Sequence, residues 1–236
     1  MLTVVCFKWK PYGGATYRSV FGPEQVLTLQ RMIARHYRTP HRFVCITDDA
    51  TGLDRVETIP LWTDHAAIPS PHGGGNPSCY RRLKLFDPAI RDLLGDRFVA
   101  IDLDTVVVGD LAPIFNRTEP FVMWGETDPR SWYNGSLILM SAGVRSKVWT
   151  TFNPRTSPRD ALRAGRFGSD QGWISHVLGP GEATFGRKDG VYSYRVHITP
   201  NGNQLPPDAR LVSFHGRIDP WSYAAQTIDW VRDNYR

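Results

Sequence analysis

Cysteine is scarce in this chain. Only Cys6, Cys45 and Cys79 occur among 236 residues, an odd number at spacings that suit neither a disulfide framework nor a metal motif. Cys6 and Cys45 lie inside apolar runs and are expected as buried strand residues. Long apolar runs are missing too, and none approaches the ~20 residues of a membrane span. The opening "MLTVVCFKWK" is too short an apolar stretch, without a small-residue cleavage pattern, to read as a secretion leader. The cytoplasm is therefore the expected compartment, with no integral membrane segment and at most peripheral membrane contact. The sequons at Asn116 and Asn134 are then chance matches. A dense basic run is also lacking. Lys and Arg number 28 against 23 Asp and Glu, a net charge of +5 spread along the chain. That distribution does not point to nucleic acid, and it suits a small polyanion such as a nucleoside diphosphate. Repeats and interdomain linkers are absent, and the sequence leaves the oligomeric state open.

What is present is the composition of an ordinary globular protein, 41% apolar and 22% charged, with length enough for one large core. "LTVVCF" (2–7) reads as a first strand, "GPEQVLTLQRMIARHY" (22–37) as an amphipathic helix with Pro23 in its first turn, and "HRFVCITDD" (41–49) and "RVETIPL" (55–61) as further strands. After a Gly- and Pro-rich stretch, a helix is expected over 80–94, interrupted before Pro88. Strands follow at "RFVAIDLD" (97–104), 120–126 and 132–143, then a short helix capped by Ser169, a strand at 209–216 and a closing helix with Ala224, Ile228, Val231 and Tyr235 along one side. The alternation predicts a single α/β domain over 1–236, a mixed, mostly parallel sheet flanked by helices.

Ligands of such sheets gather beyond the carboxyl ends of the strands. Polar signals fall at three of those ends: Asp48–Asp49, Asp102 with Asp104, and His215–Gly216. An isolated D-x-D is most often a turn, and a lone histidine a satisfied core residue. Asp102 and Asp104, however, stand within "FVAIDLDTVVV", where a strand would send both to one face and uncompensated carboxylates would be costly. A cation resolves that cost. Two carboxylates and an imidazole can hold a divalent ion with positions open to phosphate oxygens.

Four segments, in order, carry a resemblance: "AIDLDTVVVGDL" (100–111), "YNGSLILMSAG" (133–143), "SDQGW" (169–173) and "FHGRIDPW" (214–221). They resemble the D-x-D, N-A-G, D-Q and H-x-G-x-x-K-P-W elements of metal-dependent glycosyltransferases of the GT-A fold, especially the retaining enzymes of glycosyltransferase family 8. The resemblance implies a GT-A-like, Rossmann-like domain, with a nucleotide-binding half over about 1–104 and an acceptor-binding half with the closing helix over about 105–236. It implies a nucleotide-sugar donor, UDP being the commonest nucleotide, and a glycan or other hydroxyl-bearing acceptor. It further implies Mn²⁺ or Mg²⁺ held by Asp102, Asp104 and His215, with the ion stabilising charge on the leaving diphosphate. Asn134 and Gly135 would border the acceptor, joined by the aromatics Trp132 and Tyr133 just before them. Asp170 and Gln171 would lie beside the donor sugar, Asp170 with a chemical role open to it and Gln171 as a positioning residue.

Two departures stand out. Where the closing motif of the family has a phosphate-contacting lysine, this chain has Asp219. Gly216 stays in its place in that motif, and Arg217, Arg81, Arg82 or Lys84 are the candidates for the missing charge. After the first strand the family often shows an acidic pair, whereas this chain has "FKWKPYGG". Lys8 or Lys10 could face phosphate there, and Trp9 or Tyr12 could stack on a base. The Gly-rich residues 72–78 lack a P-loop ending and suit a loop that orders over the donor. Two alternatives remain at this stage. "DLDTV" also matches the nucleophile strand of haloacid-dehalogenase phosphohydrolases, with Asp102 as nucleophile. A carbohydrate-binding protein with a structural cation would use the same aromatics.

Overall fold

A computed structural model describes residues 1–10, 21–69, 79–125, 128 and 130–236. Tyr12 and the Gly-rich residues 72–78 lie outside the described residues. The strands are β1 (Leu2–Lys8), β2 (His41–Thr47), β3 (Glu57–Pro60), β4 (Arg97–Ile101), β5 (Thr105–Val107), β6 (Phe121–Gly125), β7 (Tyr133–Ser141), β8 (Thr184–Phe185), β9 (Val191–Ser193) and β10 (Leu211–Ser213). Seven of them form a sheet in the order β3-β2-β1-β4-β7-β6-β8, and β5-β10-β9 form a second, three-stranded sheet. β3, β2, β1 and β4 run parallel, and β7 is antiparallel to both β4 and β6. This is the mixed, mostly parallel α/β sheet that the alternation of elements predicts.

The first strand explains how both faces are covered. Val4 and Cys6 enter one hydrophobic cluster, while Val5 and Phe7 enter another, as period-two alternation requires of a strand buried on both sides. The first cluster is closed by the Pro23–His36 helix, which buries Val26, Leu29, Met32 and Ile33. Each such side chain contributes ~1.5–3 kcal/mol of apolar burial. The same cluster takes in Val106 and Val212 of the small sheet and Val231 near the carboxyl terminus, so the two sheets share one core.

Two helices differ from expectation. Residues 80–94 do not form one α-helix: Cys79–Phe86 is a 3₁₀ segment, followed by a 3₁₀ turn, Pro88–Ile90, and a single α turn, Arg91–Leu94. Asp87 is extended and caps the second piece, accepting from the Ala89 N–H at 3.0 Å, so the break follows from the Asp-Pro pair. In the first piece, residues three apart eclipse. Tyr80, Leu83 and Phe86 are therefore aligned and fully buried, and the next row aligns Cys79 with Arg82. At the carboxyl end, the expected helix is two short ones, Tyr223–Gln226 and Asp229–Asn234. The Thr227 hydroxyl donates to the Ala224 carbonyl at 2.8 Å, a local bond that competes with helix continuation. The shift buries Ala225 rather than Ala224. No helix among the described residues is long and apolar enough to cross a membrane.

Candidate active site

Strand order reverses at β1, which has β2 on one side and β4 on the other. The carboxyl ends of β1 and β4 therefore border the crevice where open α/β sheets bind ligands. Asp102 emerges there. β4 stops at Ile101, and residues 102–104 are a turn carrying the chain into β5 of the small sheet. The two aspartates consequently do not stand as alternate residues of one strand, which corrects the sequence expectation. Asp102 keeps 30% of its side chain exposed. Asp104 is buried, and its carbonyl accepts from the Phe214 N–H at 2.8 Å.

The cation beside Asp102 belongs to the protein. Arg82 Nη1 donates to Asp102 Oδ1 at 2.9 Å and Arg82 Nε to Asp170 Oδ2 at 2.8 Å. Burial works against the guanidinium charge, and the Asp170 and Asp102 carboxylates more than offset it, so Arg82 is held charged. Asp170, only 3% exposed at its side chain, begins the Asp170–Leu178 helix. Ser169 caps that helix by accepting from the Gly172 N–H at 3.3 Å, as the sequence predicts. Gly172 is required there, because a Cβ would fall 1.9 Å from the Phe167 carbonyl oxygen. Cys79, aligned with Arg82, lies beside Asp170, and burial followed by the Asp170 charge pushes its thiol up strongly.

A β-bulge supplies the next wall. The β6–β7 register jumps between Met123, opposite Ile138, and Trp124, opposite Asn134, which leaves residues 135–137 unmatched in that pair and re-aims them. Ser136 O accepts the Asp102 N–H at 3.1 Å, and the Gly135 N–H reaches Gln171 Oε1 at 3.5 Å. Gly135 packs under the guanidinium: a Cβ would sit 2.9 Å from Arg82 Nη2. Asn134 is buried and its Oδ1 accepts from the Ser136 N–H at 2.8 Å, stabilising the bulge. Arg82, Asp102, Gly135, Asp170 and Gln171 are thus brought together from four separate segments.

Other expected residues are placed differently. Tyr133 is a core residue, 1% exposed. Its hydroxyl donates to the Gly179 carbonyl at 2.7 Å and accepts from the Glu182 N–H at 3.1 Å, so it has no face for an acceptor. Trp132 is half-buried under the Arg166 guanidinium, 3.4 Å from the ring centre. Lys84 is paired with Asp64 at 2.6 Å, and Lys10 with Asp49 at 2.7 Å. These pairs occupy two of the charges that the sequence offered to phosphate. Lys8 ends β1 with its side chain largely buried, and Trp9 meets Phe7 edge-on at 5.6 Å.

His215 stands in a second group. Its Nε2 is bonded to Ser193 Oγ at 2.7 Å, and its ring meets Trp124 edge-on at 5.2 Å. A cavity of about 290 Å³ is lined there by Tyr194, Arg195, Phe214, His215, Gly216 and Arg217, among others. Among the described residues, no three histidine, cysteine or carboxylate side chains lie close enough together to hold a metal ion. Asp102, Asp104 and His215 are therefore neighbours along two bonded segments and not a preformed cluster. Their donor chemistry nonetheless fits Mn²⁺ or Mg²⁺, and Asp102 uses only Oδ1 on Arg82. Sequence reasoning missed Ser193 and Arg195. β9 is three residues long, too short for a periodic signal.

No protein-family model and no curated protein sequence matches the chain. Solved structures do. The galactosyltransferase LgtC, in complex with donor and acceptor sugar analogs, superposes with a TM-score of 0.61 at 14% identity, over 98% of this chain and 96% of its own. The fold is that of a glycosyltransferase. The glycosyltransferase GlyE of Streptococcus pneumoniae TIGR4 superposes at 0.56 and 14% identity, over 100% of this chain and 62% of its own. The bifunctional enzyme WbbM superposes at 0.62 and 14%, over 99% and 49%. The GT-A-like fold implied by the four segments is the fold observed, and the group around Arg82 lies at its strand ends.

Proposed function

We propose that this chain is a metal-dependent glycosyltransferase that moves a sugar from a nucleoside-diphosphate sugar, a UDP-sugar first among candidates, to a hydroxyl-bearing acceptor with retention at the anomeric carbon. The observation that carries the reading is the convergence of Arg82, Asp102, Gly135, Asp170 and Gln171 at the switch point of a glycosyltransferase fold. The likeness to LgtC, whose structure holds donor and acceptor sugar analogs and which superposes over 98% of this chain and 96% of its own, supports this crevice as the place for donor and acceptor. The fold also favours transfer over the phosphohydrolase alternative.

In this reading Arg82 fixes the Asp170 carboxylate beside the donor sugar, while Gln171, steadied by the Gly135 N–H, orients a donor-sugar hydroxyl. The bulged 134–136 segment borders the acceptor, with Trp132 at its edge. Asp102, Asp104 and His215 would hold the divalent ion, which supplies Lewis-acid stabilisation to the leaving diphosphate when bound. The nucleotide half would extend over about 1–104, with Lys8 and Trp9 at its mouth.

A thermal-shift screen against UDP, GDP, CMP and their sugar conjugates, with and without Mn²⁺, tests the reading. Stabilisation by one nucleoside diphosphate that requires the metal and vanishes in Asp102→Ala is the expected result. Asp104→Ala should abolish transfer in Mn²⁺ with the fold retained. Wild-type turnover by that variant would refute the metal role, and hydrolysis of a generic phosphate ester without nucleotide binding would refute the transferase.

A further inference from the structure

We propose that Arg195, aided by Arg217, contacts the donor's diphosphate and supplies the positive charge missing at Asp219; this rests on the glycosyltransferase reading of the same site. Three of the basic side chains expected near the phosphates are already compensated, Arg82 by Asp102 and Asp170, Lys84 by Asp64, and Lys10 by Asp49. Arg195 and Arg217 form no ion pair among the described residues. Asp128 lies within reach of the Arg195 charge, and that carboxylate is bonded to Arg130 at 2.8 Å. Both arginines line the same cavity as His215 and Gly216.

The geometry is built rather than incidental. Arg195 lies on a π-helical turn, Tyr194–Ile198, that directly follows β9. Ser193 Oγ caps this turn by accepting from the Val196 N–H at 3.0 Å, and the same oxygen holds His215 Nε2 at 2.7 Å. One residue on, Tyr194 stacks on Phe214 with ring centres 4.2 Å apart and planes 9° from parallel. Two consecutive links therefore lock the arginine-bearing turn to the segment that carries His215. Gly216 faces the arginine stem, and a Cβ there would come 3.4 Å from Arg195 Cδ. The cavity, about 290 Å³, falls at the lower limit of ligand pockets, ~300–1,000 Å³, and suits the phosphate end of a donor better than the whole molecule. Two guanidinium forks match the oxygens of a diphosphate and would stabilise it further as the leaving group.

The test measures affinity for UDP, GDP, uridine and inorganic pyrophosphate, in Mn²⁺ and in EDTA, for the wild type, Arg195→Ala, Arg195→Lys and Arg195→Ala/Arg217→Ala. Arg195 is exposed, so these variants should keep the wild-type melting temperature. Arg195→Ala should weaken nucleoside diphosphate and pyrophosphate about 10- to 100-fold while uridine affinity stays unchanged. Arg195→Lys should recover part of the loss, and the double variant should lose more. Loss of pyrophosphate binding in Arg195→Ala supports the assignment whichever nucleotide is used. Wild-type affinity for the diphosphates in the double variant overturns it and leaves the glycosyltransferase reading standing. A wild-type protein that binds neither nucleoside diphosphate nor pyrophosphate overturns both.

Discussion

Arg82 carries two carboxylates on one guanidinium, and both the stability and the chemistry of the site depend on that arrangement. Asp170 is nearly inaccessible to water, so deleting Arg82 strands a buried charge. Breaking such a pair from one side costs about 3–5 kcal/mol, whereas replacing both members by neutral groups is often close to neutral. Arg82→Ala should therefore lower stability by that amount in urea melts, and Arg82→Met/Asp170→Asn should recover most of it without recovering transfer. Equal stability of the two variants would show that the pair is not a unit. Gly135 tests the same contact from the opposite side. Its Cβ would press on a guanidinium that two ion pairs prevent from yielding. Gly135→Ala should thus reduce kcat at least tenfold, on the order of one or two charged hydrogen bonds, with circular dichroism unchanged. Unaltered kcat would show that Arg82 can move without consequence.

At the level of elements, the site depends on how short segments begin and end. The Asp170–Leu178 helix presents its first two residues to the crevice, so its start must be sharp. Ser169 supplies the cap and Gly172 permits the close approach of the Phe167 carbonyl. Ser169→Ala should cost about 1 kcal/mol of stability, as lost N-caps do, and should raise KM for the donor because Asp170 and Gln171 occupy the frayed turn. A stability loss with donor KM unchanged would place the cap outside the site's requirements. The β7 bulge and the 3₁₀ row of Cys79 and Arg82 have the same character, since each departs from regular geometry where it re-aims a functional residue.

Across the whole molecule, the exposed ion pairs set how stability responds to acid. Hydrogen bonds from Arg117 lower Glu119 to about 2, and hydrogen bonds from Arg130 lower Asp128 to about 2. Both groups titrate lower folded than unfolded, where 4.5 and 3.8 apply. Their contribution is therefore complete above pH ~4.5 and disappears as pH falls toward ~2. Both lie at the surface, so solvent screens the effect and it should be modest and weaker in salt. The urea midpoint should decline over that window, and Glu119→Gln should flatten the decline. An identical decline in the variant would assign it to other carboxylates.

Much of this molecule was legible in advance. The strands at β1, β2, β4, β6 and β7, the Pro23–His36 helix and the Ser169 cap follow from apolar periodicity and capping chemistry, which act over a few residues. Asp102 and His215 could be named as candidates because polar groups end apolar runs there, and Gly135, Asp170 and Gln171 because their segments resemble those of a known family. What tertiary structure decided was pairing. That Arg82 neutralises Asp102 and Asp170, that Lys84 and Lys10 are taken by Asp64 and Asp49, that Tyr133 is core, and that Arg195 shares a cavity with His215 all depend on contacts between residues far apart in the chain. Local propensity carries the period of an element, but the partner of a charge is set by which elements the sheet order brings together, and no short stretch of sequence contains that information.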